Sequence, residues 1–288
     1  MRNFPPMKRV WANGLGNDRG FSLVEIAVVM VILSVLLAIV AVPITTQLNQ
    51  RRLAETQRLL DLAQQALIGY AAANGRLPCP ATDGTIIGAV NSFGDERFAA
   101  GGSAATGQCE YWTGFLPAVA LGLSPVDNEG FMIDAWGLRQ NRIRYAVWGS
   151  DVVAVNGVLY PFTKTDGMKV ATSTFLADVN KKFIFVCQSA PTGGQPTAAS
   201  AAVTNACGAA VVKLTDKTPA VIYSLGANAT TGGTGTDEVF NAKTTAVQTY
   251  AFVSHTPTPG PTNEFDDIVN WMSLNVLFNS MQVAGKLP

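Results

Sequence analysis

"RGFSLVEIAVVMVILSVLLAIVAVPI", residues Arg19 to Ile44, decides how the rest of the chain is read. From Phe21 to Ile44 there are 24 residues, and Glu25 is the only one among them that carries a charge. As a helix this run spans about 36 Å, enough to cross a hydrocarbon core of about 30 Å. A carboxylate at the centre of a bilayer costs roughly 2.5–3.5 kcal/mol. An acid in such a run therefore marks a functional position whose partner must be found. The competing reading is an ordinary signal anchor with an acid near one end, where snorkelling softens the cost.

What precedes the run is polar and basic. Residues 1–20 hold Arg2, Lys8, Arg9 and Arg19 against one acid, Asp18. In a secretory signal peptide the apolar stretch precedes the cleavage site and leaves with it; here the charged leader ends in Arg19-Gly20 and the apolar stretch follows. Four basic residues precede the span, but Arg51 and Arg52 follow it closely, so the orientation signal from Lys and Arg is only fair. Beyond Ile44, "LNQRRLAETQRLLDLAQQALIGYAAANG" places Leu53, Leu59, Leu60, Ala63, Ala66, Leu67 and Tyr70 near one helical stripe. Asn74-Gly75 is a stop signal, and Pro43 should kink the helix where its two halves meet.

After Gly75 the texture changes to turns and short strands. "RLPCPATDG" reads as a tight loop and "WTGFLPAVALGL" as a short helix or turn. "DAWGLRQNRIRYAVWG" predicts a turn at Asp134 to Gly137 leading into a strand around Ile143 to Trp148. Further strands are predicted at "GVLYPF", "KFIFVCQ", "AAVVKL", "AVIYSL" and "TYAFVS", rich in β-branched and aromatic residues. Low-complexity loops lie between them, "HTPTPGPTN" should be extended, and Ser273 should cap a C-terminal helix ending at Gly285. The fold class is α+β, a long N-terminal helix packed on an antiparallel sheet. The predicted organisation is a leader at 1–20, a membrane helix at 21–44, its amphipathic continuation at 45–75 and an exported head at 76–288.

The composition bounds the function. The chain is 48% hydrophobic and 14% charged, with no net charge, and without its first 20 residues it is slightly acidic. That argues against broad nucleic-acid binding, which needs a basic face. Cys79, Cys109, Cys187 and Cys207 contain no C-x-x-C pair, and His255 is the single histidine, so neither a metal site nor a cofactor is expected. An even cysteine count in an exported domain favours two disulfides. Of three connectivities, Cys79–Cys109 with Cys187–Cys207 is preferred because each closes a modest Gly-rich loop, and the other two stay open. No nucleophile motif is present, so no enzyme is expected.

Several charged groups read as solvated or loop residues rather than as sites. Arg142 and Arg144 share one face of an alternating strand, with Arg139 nearby. Asp266-Asp267 with Glu264, and Asp237-Glu238, lack the D-x-D-x-D-G spacing of a calcium loop. Asn228-Ala229-Thr230 fits the glycosylation sequon.

Gly20 followed by "FSLVE" and an apolar helix resembles the class III leader of type IV prepilins and type II secretion pseudopilins. The resemblance implies that a prepilin peptidase cuts between Gly20 and Phe21 and methylates the new amine of Phe21. It implies that Glu25 pairs with the terminal amine of a neighbouring subunit during assembly. Pro43 matches the family's helix proline, one residue further from the glutamate than the commonest spacing. "DAWG" followed by "IRYAV" is similar to a turn and strand of pseudopilin heads. The implied function is a structural filament subunit, in the inner membrane with its head in the periplasm. Its implied partners are the peptidase, other pilin subunits, inner-membrane lipid and an inner-membrane assembly platform. The alternative is a minor pilin acting mainly as a binding, adhesion or DNA-uptake module at the filament tip.

Overall fold

The computed structural model describes residues 22–83, 93–149, 160–170, 183–192, 205–242, 251–258, 260 and 263–288, without the side chains of 38–46. Gly20 and Phe21 lie outside the described residues, and of Pro43 only its place within a helix is described. The chain divides into two compact units, Met1–Gln50 and Arg51–Pro288.

Helix α1 runs Leu23–Asn74. In the first unit its described side chains up to Leu37 are exposed, large apolar ones such as Leu23, Met30 and Leu37 among them. Among the described residues no helix is long and apolar enough to cross a membrane. In the second unit Thr56, Leu60, Ala63, Leu67 and Ala71 form one fully buried stripe, the 3-and-4 spacing expected of a helix lying on a core. The helix stops where Gly75 adopts φ +72°, a left-handed conformation that favours glycine, and its N–H bonds to Ala71 O at 2.8 Å.

The stripe joins a core made by two sheets and a terminal helix. The first sheet contains β1 (Thr113–Phe115), β2 (Arg144–Val147), β5 (Ala220–Ser224) and β7 (Ile268–Trp271), in the order β1-β2-β5-β7 with every pair antiparallel. The second contains β4 (Lys213–Thr218), β3 (Ile184–Cys187) and β6 (Ala251–Val253), where β3 pairs parallel with β6 and antiparallel with β4. One stretch of chain serves both sheets. It leaves β4 and enters β5 across Pro219, whose missing N–H suits a point where the ladder is interrupted. Helix α2 (Thr236–Asn241) precedes β6, and α3 (Leu274–Val283) closes the chain, burying Leu277, Phe278 and Met281.

The fold is α+β with an antiparallel sheet against the helix, as the patterning predicts. Local assignments differ in places. "WTGFL" forms β1 instead of a helix or turn because Thr113 and Phe115 pair with Ala146 and Arg144. Gly114 lies so close to Ala81 O that a Cβ would sit 2.6 Å from it. Residues 160–162, the described part of the strand predicted at "GVLYPF", form a turn with Tyr160 at φ +53°. The strand predicted at "AAVVKL" starts only at Lys213. Ser273 is the N-cap of α3, but its side chain makes no capping bond.

Candidate functional site

The first functional segment begins at Ser22. Ser22 N–H donates to Glu25 Oε2 at 2.8 Å, and Glu25 N–H donates to Ser22 Oγ at 3.2 Å. This is a reciprocal capping box, which satisfies two of the orphan donors at a helix start. The acid in the apolar run thus has a partner within its own chain. Ser-x-x-Glu is visible in "SLVE", so the sequence carried this signal, although the cap was not predicted from it. Around the carboxylate, Ile26, Val29, Met30 and Leu33 line a shallow apolar groove.

In the second unit, the predicted Asp134–Gly137 turn is a buried latch. Asp134 Oδ1 accepts from Trp136 N–H at 2.9 Å, and Oδ2 accepts from Ser224 Oγ at 2.6 Å and Asn141 Nδ2 at 3.0 Å. Ala135 N–H reaches Thr56 Oγ1 on α1 at 3.1 Å. Burial raises the Asp134 carboxyl above the ordinary Asp value, against these hydrogen bonds, which favour the ion. The turn joins α1 and β5, and the Asp134 carboxylate at its start is engaged within the fold.

The arginines correct the solvated-face reading. Arg142 and Arg144 do share a face, but it covers the Phe115–Phe131 pair, with the guanidinium of Arg142 4.2 Å from the Phe131 ring centre and that of Arg144 5.4 Å from the Phe115 ring centre. The Arg142 side chain is 2% exposed. It donates to Asp83 Oδ2 at 2.7 Å and Asp127 Oδ2 at 2.8 Å, and lies 3.1 Å from Glu129. Burial disfavours this cation, but hydrogen bonds and attraction from Asp127 and Glu129 outweigh it and raise its pKa. Arg139 remains half exposed beside Glu129 and Asp83. A comparable arrangement closes α1, where Arg76 pairs with Glu96 at 2.6 Å and bonds Tyr70 Oη at 2.7 Å. Burial first, then the Glu96 charge, pushes the Tyr70 hydroxyl up to about 12.

Cys79 is bonded to Cys109 and Cys187 to Cys207, the preferred connectivity. The acids at 238 and 266–267 are not loop charges in water: Glu238 and Asp267 are buried, and Asp266 is half-buried. The three carboxylates lie within 4.8 Å of one another. No calcium-type loop surrounds them, and we assign no metal there. Asn228 spends its amide N–H groups on both Glu238 oxygens, at 3.1 and 3.0 Å, so the sequon nitrogen is engaged within the fold.

His255 stacks on Phe265 with ring centres 3.9 Å apart. Its Nε2 lies 3.1 Å from Asp237 Oδ2 and its Nδ1 lies 2.8 Å from Thr256 O. Both ring nitrogens face oxygen acceptors, and among the described residues no hydroxyl bonds to either, so the pair does not extend into a triad there. His255 and Asp237 border a cleft of about 820 Å³ that Ala190, Val239, Glu264 and Phe265 also line.

Comparison with known proteins adds one match. A family model for the prokaryotic N-terminal methylation motif matches residues 15–41. No curated protein and no solved structure matches the chain. The matched residues span the glycine, the capping box and the apolar start of α1. In this segment the chain is similar to the N-terminal methylation motif, the part of the sequence on which the resemblance to type IV prepilins and pseudopilins rests.

Proposed function

We propose that the protein is a structural subunit of a type IV pilus or of a type II secretion-like pseudopilus. The observation that carries this reading is the methylation motif at 15–41, set on an exposed apolar helix start whose single charge is Glu25. Prepilin peptidase cleaves between Gly20 and Phe21 and methylates Phe21. Residues 21–44 hold the subunit in the inner membrane, with the head in the periplasm, until an assembly platform passes it to neighbouring pilin subunits. Glu25 serves twice. In the stored subunit it caps its own helix, which satisfies the acid locally. In the filament it becomes the counter-charge of a neighbour's amine, a pair that matters most where water is excluded.

A second reading, a minor subunit whose head binds a target at the filament tip, is favoured by the cleft beside His255. Among the described residues its lining holds Asp237 and Glu264 and no Lys or Arg, which disfavours nucleic acid as its target.

The test is N-terminal sequencing with mass spectrometry of the membrane and sheared-filament fractions. Both should begin at Phe21 with a methylated amine. A mature chain beginning at Met1, or after Ala41, would refute the assignment.

A further inference from the structure

Three acids of the head, two of them buried, are crowded together. Glu238 comes from α2, Asp266 and Asp267 from the segment before β7, and their carboxylates lie within 4.8 Å of one another. Three negative charges at that separation in a poorly hydrated site repel strongly, and one of them is relieved most simply by a proton. Among the described residues, Glu264 also acts on Asp266 and Arg144 on Asp267, and Tyr223 faces Asp267. One guanidinium does not balance the acids.

The hydrogen bonds indicate where the proton sits. Glu238 is the acceptor, taking Asn228 Nδ2 on both oxygens, Asp266 N–H at 2.8 Å and Thr234 N–H at 3.3 Å. Asp267 Oδ2 accepts from Asn241 Nδ2 at 2.9 Å. Asp266 Oδ2 accepts from Ala227 N–H at 2.8 Å, but the buried Oδ1 receives no hydrogen bond. A buried oxygen that lacks a donor, on an acid that interacts with the Glu238 carboxylate, is the natural place for the hydrogen. Gly226, at φ +64°, leaves room for it, since a Cβ there would overlap the Asp266 carboxyl.

The cluster has a mechanical consequence because its members alternate with cleft residues. Asp237, Val239 and Phe240 of α2 line the cleft on either side of Glu238, and Glu264 and Phe265 line it just before Asp266. We propose that a proton shared between Asp266 and Glu238 locks α2 to the 263–267 segment, and that its release loosens the cleft beside His255. Burial first, then the charges of Glu238 and Glu264, pushes Asp266 up to about 7, against the Ala227 hydrogen bond. Burial also raises Asp267 well above its ordinary value. The folded head then holds a proton that the unfolded chain has already lost. The stabilisation is complete below the ordinary Asp range and is lost as pH rises through about 7.

The experiment uses the full chain in detergent micelles with a chelator present. Thermal melts are recorded from about pH 5 to about pH 9, with hydrogen exchange followed by mass spectrometry across the same range. The wild type should lose on the order of 5 °C between mild acid and mild alkali. Exchange in 226–242 and 263–267, corrected for the intrinsic pH effect, should accelerate while β2 stays protected. Asp266→Asn keeps the shape and a donor without a titrating proton, and should flatten this dependence. The wild-type exchange pattern tests the proposal even if that variant misfolds. Alkaline loosening that is absent, or that is spread evenly over the head, overturns it. So does calcium at millimolar level restoring the acid-state melting temperature at alkaline pH, which would make a cation, not a proton, the lock.

Discussion

Replacing Arg142 with methionine tests whether the charge network at the head of β2 is as dry as its geometry implies. The guanidinium makes hydrogen bonds of 2.7 Å to Asp83 and 2.8 Å to Asp127, and its Nη2 lies 2.6 Å from Asp127 and 3.1 Å from Glu129. Its partners differ in exposure: Asp83 is 2% exposed, Asp127 14% and Glu129 35%. Glu129 can turn to water when the cation goes, but Asp83 cannot. The methionine side chain would fill much of the volume over Phe131 while leaving the desolvated Asp83 with the half-exposed Arg139, 3.8 Å away, in place of a 2.7 Å hydrogen bond, a change that costs about 3–5 kcal/mol. For a unit of this size that lowers the melting temperature by about 6–20 °C.

The assay is thermal and urea unfolding of the full chain in detergent, followed by circular dichroism, with two companions. Arg58→Met removes the ion pair with Glu55, whose side chains are 63% and 47% exposed, and should leave the melting temperature essentially unchanged. Arg142→Met combined with Asp83→Leu removes the desolvated acid together with the cation and should recover at least about 1 kcal/mol of the single variant's loss. An Arg142→Met loss below about 1 kcal/mol would show that water reaches these carboxylates and that the network is a surface one after all.

Other outcomes follow from the same physical picture. Glu25→Gln keeps a side chain able to complete the capping box, so insertion and cleavage should persist while incorporation into sheared filaments falls; incorporation of Glu25→Ala at the wild-type level would refute the amine pairing. Ser22→Ala should weaken the start of α1 by about 1 kcal/mol yet leave the acid free for a neighbour, so filament yield should hold where Glu25→Ala loses it. Cys79→Ser/Cys109→Ser opens a 30-residue separation and should lower head stability by about 3–4 kcal/mol; an unchanged urea midpoint would show the bridge to be idle. Leu67→Ala empties a fully buried position on the α1 stripe and should cost about 2–5 kcal/mol, and a loss below about 1 kcal/mol would place that face in water.

What could be read in advance was set by how far each residue's partner lies along the chain. The stripe of α1, its stop at Gly75 and the Asp134–Gly137 turn depend on neighbours within a few residues, and the sequence displays them directly. Strand β1 does not: "WTGFL" becomes a strand only because β2, roughly thirty residues later, supplies its hydrogen bonds. Charge follows the same rule. Asp83 is 59 residues from Arg142 and Asp127 is 15, so alternation placed Arg142 on the correct face but could not reveal that counter-charges would close over it. Glu25 is the opposite case, since its cap is three residues away. The signal for a charge's partner was therefore present in the sequence where that partner is local, as in Ser22-x-x-Glu25, and absent where the fold had to deliver one, as for Arg142. The proposed filament role would add a second partner that no single chain can display, the amine of another subunit. For that reason Glu25→Gln, which separates the local cap from the distant charge, is the most discriminating of these variants.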